Sequence, residues 1–165
     1  MSRQLLIFSL IFISLVSCTS EEIYFELKKT NGSWHKDSIY EFTFEAQDTI
    51  NKYDVFIHLR NTEIYKYNNL FVVTALHYPK GKVEVDTLEY NMAFPNGMLM
   101  GEGIGSLKYN KLWYKEDYTF SEPGVYKFEI RQAMREYNNT KPLKELVGVE
   151  EVGLSYEPQI KSNND

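Results

Sequence analysis

Apolar and polar residues alternate with a period of two along much of this chain, which is the pattern of a β-strand with one buried face. The alternation is cleanest over residues 126–131. It recurs over 40–46 and 53–60, where Phe56 alone interrupts the polar face. Residues 70–78 are apolar on both faces, as is typical of a central strand. These segments predict a protein built from β-strands.

Turn-forming residues punctuate these strands at 79–82, 95–97, 122–124 and 138–142. Many short strands with aromatic alternation favour an all-β fold, an antiparallel β-sandwich. We expect it to be jelly-roll-like, with an immunoglobulin-like sandwich as the alternative. The strand near 83–90 switches its apolar face close to Asp86, which predicts a β-bulge. The expected core between the two sheets comprises Phe42, Ile57, Val72, Leu88, Phe128 and Leu154.

The N-terminal segment has the features of a secretory signal peptide. Arg3 precedes an apolar run over residues 5–16, which is shorter than the roughly 20 residues needed to span a bilayer. Residues 15–18 read Leu-Val-Ser-Cys and match the lipobox of bacterial lipoproteins. We therefore expect a cleaved signal peptide at 1–17 and a covalent lipid on Cys18. An ordinary signal peptide with an incidental cysteine is the alternative.

The rest of the chain has the length of one domain. We divide it into a lipidated tether at 18–30, a β-sandwich domain at 31–158 and a polar tail at 159–165. Within the tether, residues 23–27 are either a first strand or a docking segment. The formal net charge is −5, and losing Arg3 with the signal peptide makes it −6. Because nucleic-acid binding requires a basic patch, we expect no nucleic acid as a partner.

Residues that could carry catalysis do not form a recognisable set. The three histidines lack metal-ligand spacing, and we expect each of them on a strand or turn surface. No Gly-x-Ser-x-Gly elbow is present. Gly101, Gly103 and Gly105 do not fit a nucleotide-binding loop; their spacing indicates a bare strand face. We expect no catalytic residue, no metal site and no cofactor other than the lipid on Cys18, with calcium at a sandwich rim as a minor alternative.

Exposed aromatic and arginine side chains are the better candidates for function. Trp34 lies in a turn-like segment, and Trp113 begins a strand. Tryptophan can stack on a sugar ring or anchor a partner protein, and arginine is also frequent at interfaces. We therefore expect partner or glycan contacts at Trp34, Arg60, Trp113 and Arg135. The alternative for the two tryptophans is that they close the ends of the sandwich.

The chain resembles the GldH family of gliding-motility lipoproteins from Bacteroidetes. The resemblance rests on ordered landmarks over about 130 residues rather than on one diagnostic motif. They are the lipobox at Cys18 and residues 34–37, 59–61, 69–71, 86–90, 95–97, 101–105, 112–114, 124–126, 132–135 and 152–153. The resemblance implies a role in gliding, which is driven by an envelope-spanning motor linked to the type IX secretion system. It transfers no catalytic residue, and its one functional position is Cys18.

Our interpretation is a non-enzymatic, lipid-anchored protein of the cell envelope that acts in gliding through protein–protein contacts. We expect it at the outer membrane, on the periplasmic or the surface face. The expected partners are the membrane, through the lipid, and other gliding or type IX secretion components. A surface glycan-binding lipoprotein is the alternative, and a hydrolase is a remote third.

Overall fold

A computed structural model describes residues 24–103, 105–136 and 138–159 of the chain. These residues form strands and loops without a helix, so nothing helical in the described part could span a bilayer. The strands are β1 Tyr24–Lys29, β2 Ser33–His35, β3 Tyr40–Ala46, β4 Tyr53–Thr62, β5 Asn69–His77, β6 Val83–Asn91, β7 Leu107–Tyr118, β8 Gly124–Gln132, β9 Glu145–Val147 and β10 Val149–Pro158.

Eight of these strands form two four-stranded antiparallel sheets. The first sheet has the order β1-β10-β4-β7 and the second β3-β8-β5-β6, while β2 and β9 form a separate ribbon. If the eight sheet strands are renumbered 1 to 8 along the chain, leaving out β2 and β9, the strand orders become 1-8-3-6 and 2-7-4-5. This is the strand order of a jelly roll, which consists of two Greek keys. The predicted jelly-roll-like sandwich is therefore confirmed.

The core lies between the two sheets, because the alternation of apolar and polar residues along each strand turns the apolar side chains toward the other sheet. Five of the six expected core residues are fully buried, namely Phe42, Ile57, Val72, Phe128 and Leu154; Leu88 is half-buried and packs against them. At one end the core is a cluster of rings, in which Phe120 lies 5.1 Å from Tyr126 and 5.1 Å from Tyr156 between ring centroids. Such ring pairs add attraction beyond the area they bury.

The sandwich has two distinct ends, because all strands within a sheet run antiparallel. The proximal end, as we call it, holds the start of β1 and the connecting loops 47–52, 78–82 and 119–123. The distal end holds the β2–β9 ribbon and the longer connections 92–106 and 133–144. The first described residue, Tyr24, therefore marks the proximal end.

The folded domain begins earlier than the predicted boundary at residue 31. Tyr24–Lys29, which we assigned to the tether, pairs with β10 along its whole length. Gly153 of β10 makes this pairing possible, since a Cβ there would lie 2.4 Å from Leu27 Cδ2 and 2.6 Å from the Glu26 carbonyl oxygen. The tether is therefore shorter than we expected, and β1 is an integral edge strand.

The β-bulge predicted near Asp86 is wrong. Strand β6 keeps one register against β5 from Asn91 to Val83, so Glu84 and Asp86 face inward. Lys115 of β7 lies opposite them, with its Nζ 2.5 Å from Glu84 and 3.4 Å from Asp86. Tyr78 and Tyr114 donate hydroxyl hydrogen bonds to the same two carboxylates. Paired charges thus occupy positions where the alternation rule expects apolar residues.

The glycine series at 101–105 lies in a loop and not on a strand. Glu102 forms an isolated bridge to Tyr109, which folds the loop back onto β7. A Cβ on Gly103 would lie 2.2 Å from the Leu107 carbonyl oxygen, and φ is +147° there. The predicted bare strand face is therefore wrong, and Gly103 instead allows a close approach of the loop backbone to Leu107.

Candidate functional site

Trp34 is buried, so the expectation that it lies exposed is wrong. Its side chain has no exposed surface, and its Nε1 donates to the Ser38 carbonyl oxygen at 3.1 Å. The β2–β9 ribbon pairs Trp34 with Leu146, which is also fully buried. The ribbon folds both side chains into the distal end of the sandwich. Trp34 therefore closes that end, as the structural alternative predicted, and offers no surface to a partner or a glycan.

Two of the other candidates, Arg60 and Trp113, lie on the same surface. The antiparallel register of β4 and β7 pairs Phe56 with Trp113, His58 with Lys111 and Arg60 with Tyr109. All six side chains belong to the outer face of the first sheet. We define the aromatic–basic face as Phe25, Phe56, Arg60, Tyr109, Lys111 and Trp113. Phe56, the residue that interrupts the polar face of β4, is the sequence signal for this surface.

Trp113 is the most prominent residue of the aromatic–basic face. Its side chain is 52% exposed, yet its ring lies 4.4 Å from the ring of Phe56 between centroids. Phe56 is buried beneath it. Lys111 also lies over Phe56, with its Nζ 4.1 Å from the ring centroid and 2.7 Å from Glu157. An exposed indole is thus held in one position by its neighbours.

Arg60 is held in place by an ion pair and a ring. Its Nη1 lies 2.7 Å from Glu151 Oε2, and its guanidinium carbon lies 5.5 Å from the centroid of the Tyr109 ring. The side chain remains partly exposed. An arginine stacked on an aromatic ring keeps unused donors while losing little further freedom on binding.

His58 lies beneath the aromatic–basic face, so the expectation that each histidine is on the surface was wrong for this one. Both His58 and Ser155 lack exposed surface. The Ser155 hydroxyl lies 2.6 Å from Nε2, and the Tyr109 hydroxyl lies 2.7 Å from Nδ1. Phe25 contacts the imidazole edge-on and Tyr109 stacks on it. Outer aromatic rings therefore form a second buried layer that strand alternation does not reveal.

Burial is the main reason that His58 is neutral. It lowers the pKa of His58 to about 4, and the positive charges of Lys111 and Arg60 act in the same direction. A hydroxyl, an imidazole and an orienting group are the parts of a nucleophilic hydrolase site. Here the Ser155 residue has no exposed surface. The group supports the face above it through hydrogen bonds.

Arg135 is on a different surface from Arg60 and Trp113. It follows β8 at the distal end, where its Nη1 donates to the Thr140 carbonyl oxygen at 3.2 Å. It lines a groove of about 520 Å³ on the outer face of the second sheet. The groove walls also include Tyr67, Asn69, Phe71, Val73, Thr87, Ala133 and Met134. The apolar outer positions of β5 are the sequence signal for this groove.

Neither surface contains a metal site. Across residues 24–103, 105–136 and 138–159, no three His, Cys, Asp or Glu side chains are arranged to hold a metal ion. Cys18, the predicted lipid attachment site, lies outside the described residues, as do 1–17 and 160–165.

Residues 22–155 match the family described as GldH lipoprotein. The chain belongs to this family. It is 44% identical over 158 residues to a gliding motility lipoprotein GldH homolog of Christiangramia forsetii, covering 96% of this chain and 94% of that protein. It is 42% identical over 145 residues to gliding motility lipoprotein GldH of Flavobacterium johnsoniae, covering 88% and 90%. As a GldH lipoprotein, the protein is anchored by lipid in the cell envelope.

Similarity to solved structures is weak. A carbohydrate-binding module specific for non-crystalline cellulose aligns with a TM-score of 0.38 and 10% identity, over 81% of this chain and 76% of that one. The infectious bursal disease virus VP2 subviral particle aligns with a TM-score of 0.34 and 13% identity, over 91% and 36%. At these scores neither structure carries information about what this GldH protein binds.

Proposed function

We propose that this GldH protein is a non-enzymatic component of the gliding-motility apparatus, anchored to the outer membrane by lipid on Cys18. In this proposal the aromatic–basic face binds another protein of the gliding or type IX secretion machinery. The observation that carries it is the position of Trp113, which is half exposed and yet held against Phe56.

The composition of the face favours a protein as its partner. Tryptophan, tyrosine and arginine are the residues most enriched among those that dominate the affinity of protein interfaces. On this face Arg60 stacks on Tyr109 and Trp113 packs on Phe56. Side chains that are already ordered lose less entropy on association. The arrangement is therefore suited to anchor a partner with little rearrangement.

The absence of catalysis is part of the proposal. The hydroxyl–imidazole pair of Ser155 and His58 has no exposed surface. Because aromatic rings cover this pair, its two side chains fit a structural role better than a catalytic one. Any hydrolytic activity of the purified protein that disappears in Ser155→Ala, while the fold is retained, would contradict this part of the proposal.

The experiment is complementation of a clean deletion strain. We expect the deletion to stop gliding on glass, the wild-type gene to restore it and Trp113→Ala to fail although the protein accumulates in the membrane. The control is Val125→Ala, because Val125 is 56% exposed on the opposite sheet. Cys18→Ala should also fail, with the protein lost from the membrane. Normal gliding of the deletion strain would overturn the assignment to the apparatus.

A second candidate is glycan binding, which the groove at Arg135 favours. Tyr67 and Phe71 supply aromatic walls there, and Asn69 and Arg135 supply polar groups, which is the usual mixture in a ligand site. This candidate requires polysaccharide binding that Phe71→Ala removes and Trp113→Ala leaves intact. It takes first place if the deletion strain glides normally.

A further inference from the structure

Ile50 is the most exposed of the large apolar side chains in the described part of the chain. It is 86% exposed at the tip of the loop that joins β3 to β4. An isolated exposed apolar residue is common on protein surfaces. Three further features indicate a role for this exposed side chain. The loop is internally ordered, it lies at the proximal end, and exposed lysines lie at the same end.

The loop is ordered by a single carboxylate. Asp48 Oδ1 accepts hydrogen bonds from the backbone N–H groups of Ile50 and Asn51, at 2.8 and 3.1 Å. Its Oδ2 accepts from the Tyr53 hydroxyl at 2.8 Å. These bonds hold the pKa of Asp48 well below its usual range, which favours the charged carboxylate that accepts them. The backbone N–H of Ile50 has a partner inside the protein, which a non-aqueous environment requires.

The stems of this loop adjoin the start of β1. The Tyr24 ring lies 5.1 Å from Phe44 near the end of β3, and 5.9 Å from Tyr156. Tyr156 in turn lies 5.6 Å from Tyr53, the first residue of β4. Cys18 is six residues before Tyr24. Six residues reach at most about 20 Å, so a lipid on Cys18 keeps the proximal end close to the bilayer.

Exposed lysines share the proximal end with Ile50. Lys52 follows Ile50 in the same loop, and Lys80 and Lys82 lie in the β5–β6 loop at the same end of the sandwich; all three are exposed. Acidic groups face two of them, since Lys52 lies 3.0 Å from Asp117 and Lys82 lies 3.6 Å from Glu84. Basic residues next to an anionic bilayer are attracted to its headgroups.

We infer that the tip of the β3–β4 loop inserts Ile50 into the surface of the bilayer that holds the lipid anchor. The lipid and Ile50 are then two contacts with one membrane, because an apolar side chain at the headgroup boundary adds to lipid anchoring. Two contacts fix the orientation of the sandwich, with its proximal end on the membrane and its distal end turned away. This inference rests on the proposed lipid on Cys18.

The test is fluorescence of Ile50→Trp in the full lipidated protein, reconstituted into vesicles of phosphatidylethanolamine and phosphatidylglycerol with brominated acyl chains. Subtracting the wild-type spectrum removes the emission of the two natural tryptophans. We expect bromine to quench the added emission of Ile50→Trp. The matched control is Val147→Trp, since Val147 is 47% exposed at the distal end, and its added emission should persist.

Equal emission from Ile50→Trp with and without bromine would overturn the inference, and so would equal quenching at positions 50 and 147. Mass spectrometry of the N-terminal peptide and membrane fractionation of Cys18→Ala test the anchor separately. A lipidated protein without quenching at position 50 contradicts insertion of the β3–β4 loop and leaves the lipid anchor on Cys18 unaffected. Quenching at position 50 in a protein that carries no lipid on Cys18 contradicts the anchor instead.

Discussion

The rings of Trp113 and Phe56 lie 4.4 Å apart between centroids on the outer face of the first sheet. One ring is half exposed and the other is buried. The pair thus separates two roles: Phe56 supports the surface, and Trp113 offers it to a partner. Substitutions at the two positions should separate stability from function.

Phe56→Ala should lower the free energy of unfolding by about 3 kcal/mol, because it removes a buried ring. Trp113→Ala should cost only about 1 kcal/mol, the scale of one aromatic contact, and still abolish gliding. Urea unfolding of the purified proteins measures both values. A Trp113→Ala protein as unstable as Phe56→Ala would mean that Trp113 is a structural residue.

His58 should make the stability of the protein depend on pH. Its pKa is 6.5 ordinarily and about 4 in the fold, so the unfolded chain binds the proton more tightly. The contribution of neutral His58 is complete above pH 6.5 and is lost as the pH falls toward 4. The loss amounts to at most about 3 kcal/mol.

The measurement is the free energy of unfolding of wild type minus that of His58→Gln, followed across this pH range. The difference should shrink toward low pH. A His58→Gln protein with the full wild-type slope would show that another group titrates.

Lys115 should be worth more to stability than a surface lysine. Lys115→Met leaves the inward carboxylates of Glu84 and Asp86 without their cation, and we expect a loss of about 2 kcal/mol at neutral pH. Lys82→Met, at an exposed position, should change stability by less than about 0.5 kcal/mol.

The pKa of Glu84 is lowered by hydrogen bonds from Lys115 and Tyr78, so its contribution is present above the ordinary pKa of 4.5 and is lost as the pH falls. Thermal unfolding should therefore separate Lys115→Met from wild type at neutral pH and bring the two together in acid. Removing both partners in Glu84→Gln/Lys115→Met should recover part of the loss. Equal effects of Lys115→Met and Lys82→Met would show that the pair is exposed.

Gly153→Ala should detach β1 from the first sheet. The added Cβ would overlap Leu27 Cδ2 and the Glu26 carbonyl oxygen, so the edge strand must move. We expect faster amide hydrogen exchange over Tyr24–Lys29 and little change in β8, which belongs to the other sheet. Gly97→Ala is the control: it strains only the distal turn, where φ is +82° and nothing lies within 4 Å of a Cβ, and it should leave exchange in β1 unchanged. Unchanged exchange in β1 would mean that this strand adjusts freely.

The sandwich could be predicted because one buried face per strand dictates a period of two, and Tyr126, Phe128 and Ile130 follow it strictly. The exceptions have physical causes that a local pattern does not contain. Glu84 faces inward because Lys115 arrives from a strand of the other sheet. His58 is buried on an outward face because Phe25 and Tyr109 cover it.

Only part of the candidate site could be predicted, because its assembly depends on strand register and tertiary packing. Arg60 and Trp113 come together because the register of β4 and β7 aligns them, and register depends on contacts far apart in the chain. Trp34 sits in a turn-like sequence, yet the ribbon with β9 buries it. Residue type suggested which side chains can bind; tertiary packing decided which of them are exposed.

The most direct test of the aromatic–basic face is photocrosslinking in gliding cells. Phe25→p-benzoylphenylalanine keeps a ring on this face, where Phe25 is 43% exposed, and Val125→p-benzoylphenylalanine places the same group on the opposite sheet as a control. The account predicts a specific product from position 25 alone, with a protein whose own deletion also stops gliding. Identical products from both positions, or none from position 25 while the cells glide, would contradict it.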